Sequence, residues 1–80
     1  MTKLEKIVLA MVKQHCETEY SSYQKIAKDL NLQLPTVKGV IGSLVKKGKI
    51  IAEQDTRERT LYHDLFYVTK DGILSYGEVN

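Results

Sequence analysis

The side chains best suited to recognition chemistry gather at two places, PTVKGVIGSLVKKG at 35–48 and DTRERT at 55–60. In or beside the first, Gln33, Thr36, Lys38 and Ser43 can hydrogen-bond a base edge. Glutamine suits adenine and lysine suits guanine, while Thr36 can serve a phosphate or a base methyl. Lys46, Lys47 and Lys49 are candidates for phosphate contact, with no acid between Leu30 and Ile51 to oppose them. A solvated lysine face is the competing reading of the same cluster. Arg57 and Arg59 can reach phosphates or enter a narrow minor groove. Glu53, Asp55 and Glu58 dilute their field, so an ion-paired surface hairpin competes there too.

Catalytic chemistry finds little purchase. His15 adjoins Cys16, and His63 adjoins Asp64. A Cys–His nucleophile pair must converge in space and needs an oxyanion site, and neither follows from adjacency. Two histidines and one cysteine lack zinc-site spacing. The expectation is therefore no catalytic centre, no metal and no cofactor. Tyr20, Tyr23, Tyr62, Tyr67 and Tyr76 could stack on bases, but their spacing places them on no single platform. Core anchors or a dimer surface are the ordinary alternatives.

The elements that must position these groups follow from periodicity. Leu4, Ile7, Val8, Met11 and Val12 form the apolar stripe of a first helix over 3–15, with Glu5 among the polar residues around it. Ser21 or Ser22 can cap a second helix running to about 30, and Ser21 with Gln24 fits a capping box. Val37, Val40, Ile41, Leu44 and Val45 recur at the spacing of a core-facing stripe, predicting a third helix over 34–47. Pro35 suits its first turn and Gly48 its end. Gly39 and Gly42 lie on the opposite face, where each costs roughly 1 kcal/mol relative to alanine. That face can approach a partner closely but carries few side chains with which to read it.

The period then changes. KIIAEQ at 49–54 and LYHDLFYV at 61–68 are strand candidates, and DTRERT between them suits a hairpin tip. Thr69 can cap a short closing helical segment over 70–76. The fold class expected is mainly α with a small β-hairpin, in the order α-α-α-β-β plus that closing segment, as a single domain over 1–80.

SSYQKIAKDLNLQLPTVKGVIGSLVKKGKI resembles the support helix, turn and recognition helix of the winged helix-turn-helix superfamily. KKGKI is similar to the usual exit into the wing, and FYVTKDG to the strand-to-helix ending of MarR- and PadR-like regulators. The resemblance covers nearly the whole chain. It implies double-stranded DNA as partner, with the third helix in the major groove and the wing around 55–60 on the backbone or minor groove. Gly39 and Gly42 would then allow close backbone approach. It also implies a transcription regulator acting by site occupancy, and a homodimer on two half-sites would suit so small a contact area. The superfamily includes protein-docking members, so a protein-interaction module stands as the alternative.

Composition sets the outer bounds. Eighty residues suffice for one small core. A hydrophobic content of 42% with 28% charged residues excludes a disordered chain. The lone Cys16 cannot form an internal disulfide and fits a reducing compartment. No stretch reads as a signal peptide, and IVLAMV is far too short to span a bilayer, so a cytoplasmic, non-membrane protein is expected. A small-molecule effector would need a cavity that the sequence does not reveal.

Overall fold

The computed structural model describes residues 1–52 and 66–76. Thr2 starts helix α1 (Lys3–Cys16): its hydroxyl accepts from the Glu5 amide at 3.1 Å, and its own amide donates to Glu5 Oε1 at 2.6 Å. This reciprocal capping box satisfies donors that a helix start leaves open. Val8 and Val12 are fully buried and Cys16 nearly so, which continues the stripe by one residue beyond expectation.

Two serines follow as a short strand, β1 (Ser21–Ser22), which no sequence pattern announced. Ser22 is also the cap of α2 (Tyr23–Leu30), its hydroxyl accepting from the Lys25 amide at 3.0 Å. The cap is thus Ser22, and the Ser21–Gln24 capping box does not arise. Asn31, in the left-handed region at φ 54, ends α2, and the Leu32 amide returns to the Ala27 carbonyl at 2.9 Å. After this turn, α3 (Leu34–Lys46) carries Pro35 in its first turn, where the missing N–H leaves no bond unmade. Gly48, at φ 74, closes α3 as expected. Its amide bonds Val45, and the Lys49 amide bonds Leu44, the paired contacts of a Schellman ending.

The remaining strands are β2 (Ile50–Ala52), β3 (Phe66–Val68) and β4 (Ile73–Tyr76), in the sheet order β1-β4-β3-β2. Two expectations are corrected here. First, β2 and β3 are not the arms of a hairpin: they are parallel neighbours, with Ile50 opposite Phe66 and Ala52 opposite Val68. The antiparallel partner of β3 is β4. Second, 70–76 holds a turn and a strand, not a helix. The Thr69 hydroxyl accepts from the Ile73 amide at 3.2 Å, the Thr69 amide donates to Ile73 O, and Gly72 turns the chain at φ 81. Ile73 is then exposed and Leu74 fully buried, the period-two alternation of a strand. The expected hairpin tip at 55–60 lies outside the described residues.

Among the described residues the result is three helices packed on a small, open four-stranded sheet. Val8 and Val12 from α1, Ile26 from α2, and Val37, Ile41 and Leu44 from α3 meet Ile50, Phe66, Val68 and Leu74 from the sheet. Phe66 and Val68 face this core, with Tyr67 on the other side of the strand. No helix among the described residues is long and apolar enough to cross a membrane.

Candidate nucleic-acid interface

The outer face of α3 is open. A Cβ built on Gly39 or Gly42 would meet nothing within 4 Å, so no internal contact requires glycine at either position. Lys38 and Lys46 flank Gly42 at one helical turn on each side, about 12 Å apart along the axis, and both are exposed. Neither is ion-paired among the described residues.

The β3–β4 turn lies beside this face, held there by the β1–β4 pairing and by one close contact. The Tyr23 amide donates to the Gly72 carbonyl at 3.0 Å, and a Cβ on Gly72 would come within 2.3 Å of the Tyr23 ring. Only glycine tolerates both that approach and the positive φ. The turn therefore sits on the start of α2, and its neighbours Thr69 to Asp71 come alongside α3. Two depressions adjoin Tyr23. One, of about 110 Å³, lies between Lys38, Leu34, Gln24 and Asp71. The other, of about 440 Å³, is bounded by Gly42, Lys46, Thr69 and Lys70 over an aliphatic floor. Burial against these elements pushes the Tyr23 phenol pKa up.

Not every residue proposed from the sequence shares this face. Ser43 and Lys47 turn toward α1, where the Ser43 hydroxyl donates to Glu5 Oε2 at 2.5 Å and the Lys47 ammonium to Glu5 Oε1 at 2.7 Å. At ~100° per residue they lie roughly 100° and 140° around the helix from Gly42, which accounts for their direction. Glu5 is only 3% exposed, and the Lys47 ammonium, then Ser43 and Thr2, hold its carboxyl down at about 2. Glu5, read from the sequence only as one of the polar residues around the stripe of α1, is thus a buried, paired carboxylate. Gln33 and Thr36 are exposed at the start of α3, Gln33 without a side-chain capping bond, and Lys49 is exposed after its end. Arg57 and Arg59 lie outside the described residues. Tyr23, read from the sequence as a possible base-stacking ring, borders the face, and so do Lys70 and Thr69, which were missed. The signal for them was Thr-Lys-Asp-Gly, a hairpin turn by its glycine and spacing.

His15 and Cys16 do not face each other chemically. The carboxylate of Asp29 can only accept, so His15 Nε2–H donates to Asp29 Oδ2, 2.6 Å away. In the neutral ring Nδ1 then accepts from the Ser21 hydroxyl at 2.7 Å. Serine, histidine and carboxylate are the members of a hydrolytic triad, but Ser21 has no exposed surface from which to attack a substrate. The chain of bonds instead fastens the end of α1 to β1 and α2. The Cys16 thiol is 3.5 Å from the Leu74 carbonyl, and burial raises its pKa, which disfavours the reactive thiolate. Tyr20 carries the Lys25 ammonium over its ring at 4.4 Å, and Lys25 also bonds Glu19. Tyr20 and Tyr23 thus have separate local roles. Among the described residues no three His, Cys, Asp or Glu side chains are grouped to hold a metal.

Comparison with known proteins finds no family model, no curated protein and no solved structure that matches the chain.

Proposed function

We propose that the chain is a winged helix-turn-helix regulator that binds double-stranded DNA with α3 in the major groove. The observation that carries the reading is the open face of α3, where Lys38 and Lys46 flank bare Gly42 beside a lysine-bearing turn. A helix of this width fits the major groove, and Lys38 and Lys46, which have no ion-pair partner among the described residues, can displace counterions from phosphates. Gln33, Thr36 and Lys38 supply the base contacts in this reading, while Lys46, Lys49 and Lys70 meet phosphates. Ser43 and Lys47 contribute least, because Glu5 holds them. The β3–β4 turn takes the place of a wing among the described residues, and Arg57 and Arg59 would extend the contact. A cytoplasmic homodimer on two half-sites completes the proposal, since one copy offers little area.

A second reading is favoured by one particular observation. A Cβ on Gly39 or Gly42 would meet nothing within 4 Å among the described residues, and a bare helix face also suits close docking of another protein. The two readings separate by substitution in a titration with mixed-sequence duplex. Lys46→Gln should weaken every duplex alike, and Lys38→Gln or Gln33→Ala should change preference among sequences. Duplex binding unaffected by all three would favour the protein-docking role for this face.

A further inference from the structure

We propose that the groove between α3 and the β3–β4 turn is a binding site for a small alkyl carboxylate. At about 440 Å³ it falls within the size range of small-molecule sites. Ile41, Val45, Ala52 and Val68 give it an aliphatic lining, to which Tyr23 adds one ring. Its polar side chains include Lys46, Thr69 and Lys70, and among the described residues no carboxylate lines it. The Lys46 ammonium has no ion-pair partner among the described residues. Thr69 Oγ1 accepts from the Ile73 amide, which leaves its own proton to donate.

These features select one ligand class. A carboxylate only accepts hydrogen bonds and so complements the Lys46 ammonium and the Thr69 hydroxyl. An alkyl body covers the aliphatic lining, which a free inorganic anion would leave wet. A neutral lipid would cover that lining but leave the ammonium unmatched. Gly42 lines the groove, and a Cβ built there would meet nothing within 4 Å among the described residues, so a larger side chain at this position has room to occupy the groove. The proposal goes beyond nucleic-acid binding and does not rest on it, although both share Lys46 and Gly42.

The test is a titration of the full, isotopically labelled chain with hexanoate, octanoate and decanoate below their micellar concentrations, followed by amide NMR without nucleic acid. Decanol serves as the neutral comparison. Saturable shifts are expected at Gly42, Lys46, Val68 and Thr69. Each added methylene that becomes buried should tighten binding by up to about fourfold, the equivalent of about 0.8 kcal/mol. Lys46→Gln should weaken decanoate about fivefold with little effect on decanol. Gly42→Leu, its fold checked by circular dichroism, should abolish binding of both. The proposal is overturned if decanoate gives no saturable shift, or if decanol binds as tightly as decanoate. Shifts centred instead on the shallow α1 depression at Met1, Leu9 and Phe66 would overturn it equally. Because no nucleic acid is present, failure here is distinct from failure of duplex binding.

Discussion

At position 5 one carboxylate gathers donors from Thr2, Ser43 and Lys47, and so ties the start of α1 to the C-terminal half of α3. Its folded pKa of about 2 lies below the ordinary 4.5. A depressed carboxylate pKa gives stability that is present above 4.5 and lost as pH falls through 2. Glu5→Gln should therefore flatten the acid limb of a urea-denaturation series between pH 4.5 and 2. An acid limb identical in the variant would contradict the network. The glycines of α3 make the opposite case, since they satisfy nothing inside the fold. Gly39→Ala and Gly42→Ala should each raise stability by roughly 1 kcal/mol in the same assay, with no clash to offset the helix gain. If α3 approaches DNA closely, these stabilised variants should also bind duplex more weakly. Destabilisation by either would mean that the helix face is not open as described.

Among the elements, the β3–β4 turn is held by the pairing of Ile73 with Ser22 and by the seat of Gly72 against Tyr23. Gly72→Ala combines a positive-φ penalty with a collision against the Tyr23 ring. Strain of this kind costs of order 1–3 kcal/mol. Thermal melting should fall accordingly, and NMR contacts between Tyr23 and the turn should be lost. A variant with unchanged melting and contacts would show that the turn is seated some other way. The helices were legible because apolar stripes at a period near 3.6, Pro35 and Gly48 are local signals. The sheet was less so. Ser21 and Ser22 carry no strand preference, and their pairing is with Ile73 and Leu74 far along the chain. The charged DTRERT drew the turn away from Thr-Lys-Asp-Gly, whose glycine is the residue the structure uses. For the candidate site, Lys38, Lys46 and the bare glycines could be read from the wheel of one helix. The withdrawal of Ser43 and Lys47 could not, because their partner lies 38 and 42 residues away in sequence.

For the whole molecule, a net charge of +2 is too small to argue nucleic-acid binding by itself. Its distribution does more. Glu5 neutralises Lys47 on the α1 side, while Lys38, Lys46 and Lys49 remain exposed along α3 and its exit, with Lys70 on the adjoining turn. Lysines grouped on one surface can steer a polyanion to it. Each neutralised phosphate contributes about −0.9 to the slope of log K against log salt, so three to four lysines imply a slope of about −3. The decisive measurement is a fluorescence-anisotropy titration of the whole chain with mixed-sequence duplex DNA over a salt series. The expected result is binding at low salt that weakens along that slope, with a slope nearer −2 for Lys46→Gln. Absence of binding at low salt would contradict it.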